Sequence, residues 1–206
     1  MSKSIGTPAG VAEYLPKVFE TFDSLKKTIS AIYQSFGYLP LETSPMQYLE
    51  ALASSGGISK EIYSLGRAKA EEEVQEANRG LRFDLTKPMA RYVAENQGEL
   101  VFPFKRTEIG LVFRGERPQK GRFRQFYQAD FDVVGREILS LDYDAEMLEV
   151  VATVFEKLAL GKVLVRFNNR KLLQALLAES GITQFSEGLS IIELKILWIA
   201  CWLPNP

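Results

Sequence analysis

The chain has 206 residues, 25 lysines and arginines against 26 aspartates and glutamates, and no histidine. That length buries one sizeable core and is short for two independent domains. The near-neutral balance provides no overall basic field for nucleic acid, and the lack of histidine removes Ser-His and Cys-His catalysis and imidazole metal sites. One cysteine, Cys201, leaves no internal disulfide framework, and the N-terminus carries no basic-then-apolar leader. The longest apolar stretch, Ile196 to Leu203, falls well short of the roughly 20 residues of a membrane helix. A cytoplasmic location with no membrane span is expected.

From Leu15 to Phe36, apolar residues recur at three- and four-residue steps, with Pro16 near the start and Gly37 just past the end, which predicts a long amphipathic helix. Tyr38 to Pro45 is extended in character and closed by a proline suited to an edge strand. Gly56 to Gly80 is less regular, and its acidic run from Glu71 to Glu76 reads as a solvated helix face or loop. Leu81 to Thr86 then alternates, with Leu81, Phe83 and Leu85 against Arg82, Asp84 and Thr86, and this predicts a half-buried strand carrying the polar three on one face.

Thr107 to Arg114 alternates likewise, Ile109, Leu111 and Phe113 forming the apolar set, so that Arg114 is expected on the face away from the core. Arg124 to Val133 sets Tyr127, Ala129, Phe131 and Val133 against Arg124, Phe126, Gln128, Asp130 and Asp132. A ring, an amide and two aspartates make an odd solvent face and suit the floor of a site. A helix is expected from Ala145 to Leu160, capped by Asp142 or Asp144 and ended by Gly161; then a strand-like Lys162 to Phe167 and a helix from Arg170 to Glu179.

Between the second and third alternating segments, residues 114 to 124 hold five cations against one anion, with proline and glycine suited to a hairpin. A soluble charged loop is one reading. The other is a ligand clamp: arginines at both stem positions, Arg114 and Arg124, would present pre-oriented forks to phosphate, and Phe126 would offer a stacking platform. Asp84, Gln128 and Asp132 would share that face and could receive an ammonium group, or the two aspartates could simply pair with Arg82 or Arg124. No GxxxxGK[ST] loop and no GxGxxG after a strand is present, so a triphosphate would be held by side chains on an antiparallel sheet.

The run Phe113-Arg114-Gly115-Glu116-Arg117-Pro118-Gln119-Lys120-Gly121-Arg122-Phe123-Arg124-Gln125-Phe126 closely resembles motif 2 of histidyl-tRNA synthetases. Leu81 to Arg91 looks like that family's amino-acid-binding strand, and Phe36-Gly37-Tyr38 through Pro45 like motif 1, whose helix and strand build a dimer interface; the similarity runs from about residue 7 to residue 182. The resemblance implies an α+β fold, a class II aminoacyl-tRNA synthetase-like antiparallel sheet flanked by helices, with 1–182 a partial catalytic core and 183–206 a divergent tail.

It further implies that Arg114 is catalytic and contacts the ATP α-phosphate, that Glu116 reads adenine, that Phe126 stacks on it and that Arg122 engages the outer phosphates. Asp84, Thr86 and Gln128 would hold the histidine α-amino group, Asp132 would face the imidazole, and Mg2+ would bridge the phosphates, with no metal held by the protein alone. Motif 3 and the anticodon-binding domain of the family are not found, so a truncated histidine–tRNA ligase with weak or absent tRNA contact, a homodimer, is the expectation. Three functions follow: a synthetase-like protein that binds ATP, histidine or both; a non-catalytic regulatory paralogue that senses histidine or partners another protein; and a dimeric remnant. Arg114, Glu116 and Phe126 favour the first, because a pure histidine sensor needs no adenine clamp.

Overall fold

The computed structural model describes residues 6–53, 58–66, 78–167, 169–179 and 181. The acidic run from Glu71 to Glu76 and the tail 183–206 lie outside them. The chain divides after Tyr143 into two compact units.

In the first unit, helix α1 (Pro16–Ser35) opens with proline at its first position, where no backbone N–H is needed, and leads into β1 (Leu39–Pro40). Two long strands follow later, β5 (Phe104–Phe113) and β6 (Gln125–Val134), paired antiparallel from Phe104↔Val134 to Phe113↔Gln125, with β1 parallel to β5 on its other side. A small second sheet has the order β2 (Met46–Tyr48), β4 (Arg79–Leu81), β3 (Ser64–Leu65), with α2 (Leu49–Ala53) between β2 and β3 in the chain.

The alternation expected in both long strands decides how the layers stack. Odd-numbered side chains of β6 face α1: Phe22 lies 5.0 Å from Tyr127 and Tyr33 4.7 Å from Phe131, ring to ring, and the Tyr33 hydroxyl donates to Ala129 O at 3.3 Å. Tyr38 meets Phe131 edge-on at 5.3 Å. Even-numbered side chains form the opposite face.

Two expectations fail there. The segment Leu81 to Thr86 is not one strand, for β4 stops at Leu81 and α3 (Thr86–Asn96) begins five residues later. The cause is Asp84, whose Oδ1 accepts from Lys87 N at 2.9 Å and so satisfies an orphan donor of the first helical turn, where Pro88 also sits. Asp84 and Thr86 therefore share no strand face with Arg82. The second failure concerns β5, where the even side, holding Phe104, Arg106, Glu108, Gly110 and Val112, is the buried one and Arg114 continues it. Met89 and Val93 of α3 pack with Phe104 over its beginning, and Arg82 covers its middle.

That cover is polar. Arg82 is 4%, Arg106 0% and Glu108 4% exposed, all three too buried for their charges to be left to water. Glu108 accepts from Arg82 Nη1 at 2.7 Å, from Thr43 N at 3.1 Å and from Thr43 Oγ1 at 3.0 and 3.1 Å, with Arg106 Nη1 at 3.5 Å. Gly110 stands beneath Arg82, and a Cβ there would strike its guanidinium.

In the second unit, the helix expected from Ala145 is α4 (Asp142–Lys157). Its start is set by Ser140, whose Oγ accepts from Asp142 N at 3.2 Å, and not by a capping Asp142 or Asp144. Lys162 to Phe167 forms no strand beyond a single bridge residue, Leu164. Helix α5 (Arg170–Glu179) has the expected bounds. No described helix is long and apolar enough to cross a membrane.

Because removing one partner of a buried ion pair leaves uncompensated charge, Glu108→Gln should cost about 3 to 5 kcal/mol in urea unfolding. A loss no larger than that of a surface substitution would show that water replaces the carboxylate.

Candidate functional site

The even face of β6 runs Phe126, Gln128, Asp130, Asp132, and each is half-buried. From Phe126 to Asp132 the strand covers roughly 20 Å. Charge is divided along it, cationic at the hairpin end and acidic at the other.

At the cationic end, Arg114 N donates to Arg124 O at 2.8 Å, closing the β5–β6 hairpin, and Gln119 and Arg122 form an isolated bridge across its tip. Gly121 adopts φ +80°, the left-handed value that third position of a tight turn requires and glycine takes without strain. The Arg114 guanidinium lies between two rings, 4.3 Å from Phe83 and 5.0 Å from Phe126, while its Nε donates to Phe83 O at 3.3 Å. Arg124 is pinned by Nε to Glu116 O at 3.0 Å. Both stem arginines are thus held in place by the protein. Glu116 stands between Arg122 Nη1 at 3.3 Å and Arg114 Nη1 at 3.9 Å, so Arg114, Glu116, Arg122 and Phe126 come together.

At the acidic end, Asp132 meets the buried Arg106, whose Nη2 lies 2.6 Å from Oδ2. This contact lacks hydrogen-bond direction, leaving that oxygen and Arg106 Nε without a hydrogen-bond partner. Neither expected pairing with Arg82 or Arg124 forms: Arg82 goes to Glu108, and Asp84 caps α3. Burial pushes the Asp132 carboxyl up despite Arg106, and Asp84 adds to the rise. Asp130 is pushed up to about 6, chiefly by burial, with Asp132, Asp84 and Glu108 adding to the rise and Arg106 opposing it. Those repulsions place Asp84, Asp130 and Asp132 within one field. Gln128 Oε1 is a buried acceptor with no donor among the described residues. Thr86 opens α3 and is exposed. Among the described residues no group of three or more His, Cys, Asp or Glu is arranged to hold a metal ion.

Sequence reasoning missed Phe83 as the second ring on Arg114, and Arg106 as the partner of Asp132. The local pattern held no signal for Arg106, because with Glu108 it puts two charges on alternate positions of a strand, which is also how an ordinary solvent face reads.

A family model described as Histidyl-tRNA synthetase matches residues 10–191. The chain belongs to the histidyl-tRNA synthetase family. It is 40% identical over 199 residues to the histidine–tRNA ligase of Xanthomonas oryzae pv. oryzae (strain PXO99A), a match that covers 90% of this chain and 42% of that protein. The corresponding ligase of Xylella fastidiosa (strain M12) is 41% identical over 194 residues with the same coverage. Among solved structures, histidyl-tRNA synthetase from Nostoc sp. PCC 7120 superposes with a TM-score of 0.79 at 40% identity, over 95% of this chain and 45% of that one. An ATP phosphoribosyltransferase regulatory subunit/histidyl-tRNA synthetase from Bacillus halodurans C shares the fold, at a TM-score of 0.66 and 22% identity, over 80% of this chain and 41% of that one. The α+β class II architecture is that of this family, and the chain spans about 42% of the length of the relatives it matches.

A carboxyl whose folded-state value is raised binds its proton more tightly when folded, so it favours the folded state below its ordinary value near 3.8 and loses that contribution as pH rises through about 6. Asp130→Asn, neutral throughout, should therefore raise the thermal midpoint relative to the parent at pH 7.5, by an amount that shrinks as pH falls from about 6 toward 4. A midpoint difference independent of pH across that range would show that Asp130 ionises freely.

Proposed function

We propose that the chain binds ATP and histidine along the even face of β6 and supports histidine activation, the first half of the reaction for which its relatives are named. The observation that carries this reading is one strand face with a ring-clamped arginine at one end and, at the other, a buried amide oxygen without a donor among the described residues beside a cluster of carboxylates. The phosphates belong at Arg114 and Arg122, the base beside Phe126 and Glu116. The ammonium belongs between Gln128 Oε1 and Asp84, with Thr86 two residues on at the start of α3, and the imidazole at Asp132.

With the ligands so placed, the histidine carboxylate attacks the α-phosphorus in line, a P–O bond forms to the carboxyl oxygen, and pyrophosphate departs with the bond pair. Arg114 offsets the negative charge that grows on the α-phosphate oxygens without having to reorganise, since Phe83 O, Phe83 and Phe126 already hold it. Mg2+, which is bound largely through substrate phosphates where it serves ATP, supplies further charge neutralisation when present. The exposed apolar residues Tyr14, Leu15, Val18 and Phe19 at the start of α1, with Leu39 of β1, favour a homodimer through this region. A cytoplasmic location goes with this reading.

Isothermal calorimetry with MgATP and then histidine tests it, repeated on Arg114→Ala. ATP binding should weaken at least tenfold in the variant while histidine binding stays within about threefold, and any adenylate formation should lose about 2 to 4 kcal/mol of transition-state stabilisation. Histidine binding without ATP binding would replace activation with sensing, and no binding of either would sink the reading. Sedimentation equilibrium should return a mass that rises with concentration toward twice that of the chain; a constant single-chain mass would exclude the dimer.

A further inference from the structure

Asp130 has no role in the arrangement just proposed, yet it stands on the same face between Gln128 and Asp132. Its neighbours are all accounted for. Cross-strand Glu108 is saturated by Arg82, Arg106 and Thr43, and Arg106 reaches Glu108, Asp132 and Leu85 O. Asp84 caps α3, and on the far side of the sheet the Tyr33 hydroxyl bonds Ala129 O. Among the described residues the Asp130 carboxyl has no hydrogen bond and no ion pair of its own. Glu108, Asp84, Asp130 and Asp132 face two arginines, Arg82 and Arg106, so among the described residues this end of the pocket carries more carboxylates than cations.

Resting on the amino-acid pocket above, we propose that Asp130 is a specificity-determining residue, which with Asp132 selects the substrate side chain as a cation and holds the imidazole as imidazolium. Two adjacent carboxylates that repel each other are relieved by one shared positive charge. An imidazolium carries two N–H donors, one for each carboxylate, whereas neutral imidazole brings one donor and one acceptor and would set a lone pair against an anion. The pocket thereby discriminates against uncharged rings of similar size, such as phenylalanine, by leaving the half-buried Asp130 carboxylate unpaired.

Free imidazole is mostly neutral at pH 7.5, its ordinary pKa being near 6.5. Capture as imidazolium then takes a proton from the buffer. At pH 5.5 the free ring is already charged and Asp130 holds part of a proton, because burial pushes its carboxyl up to about 6. Binding at that pH releases a proton instead. The sign of proton exchange therefore reverses between the two conditions.

The experiment is histidine calorimetry on the full chain in pairs of buffers of different ionisation enthalpy, at pH 7.5 and pH 5.5. The parent should take up close to one proton at the higher pH and release a fraction of one at the lower. Asp130→Asn should bind at least tenfold more weakly at pH 7.5, take up less than half as much proton there and release less than the parent at pH 5.5. A merely structural role would weaken binding without moving the proton count. No uptake by the parent at pH 7.5, or the same uptake in the variant, overturns the proposal while leaving histidine binding intact. Failure of the parent to bind histidine at either pH overturns it together with the pocket, so the two failures are told apart by the parent alone, whether or not the variant folds.

Discussion

Glu108 is the point on which three parts of the chain converge. It lies in the middle of β5, yet its carboxylate is met by Thr43 from the segment after β1 and by Arg82 from the segment after β4, with Arg106 beside it on its own strand. Burying three charges would be prohibitive if any were left unanswered, because water is replaced by a medium that solvates ions poorly. Here the partners are nearly complete, and the network acts as a clamp that fixes where the 82–86 segment crosses the sheet. That crossing sets Phe83 over Arg114, Leu85 under α3 and Asp84 near the acidic end of β6. Geometry at both ends of the site follows from one carboxylate.

The guanidinium of Arg114 illustrates the consequence. Arginine on a free hairpin stem samples many rotamers, and each hydrogen bond it makes to phosphate must first overcome that entropy. Two rings and a carbonyl hold this one before any ligand arrives. The hairpin tip beyond it is looser in chemistry, with Arg122 exposed and paired to Glu116. Rigid stem and adaptable tip suit a ligand whose reacting atom must be placed tightly and whose outer charges need only be gathered.

Electrostatics along β6 reinforces this division. The hairpin that carries the cations and the carboxylates beyond Gln128 lie at opposite ends of one strand face, roughly 20 Å apart at the extremes, the charge division on which the proposed orientation of ATP and histidine rests. Burial rather than proximity to a base sets the titration of the acidic end, since desolvation is the leading cause for both Asp130 and Asp132. Tyr33, on the opposite face, is pushed up to about 12 by burial and by Asp130, and so remains a neutral hydroxyl donor to the sheet.

Local pattern alone determined α1, the β5–β6 hairpin, the extent of α5 and the shared face of Phe126, Gln128 and Asp132, because helical and strand periodicities are fixed by the backbone and leave their mark within ten or twenty residues. The motif 2 run and its neighbours likewise carried the family. Tertiary structure decided the rest. Leu81 to Thr86 alternates like a strand, but a capping carboxylate and Pro88 turn its second half into the entry of α3. Polarity said that the even face of β5 was open, whereas long-range ion pairing made it the more buried side. Arg82 finds Glu108, and Arg106 finds Asp132, each 26 positions away in sequence, and charge pairing of that kind depends on which segments meet in space, which no local periodicity records.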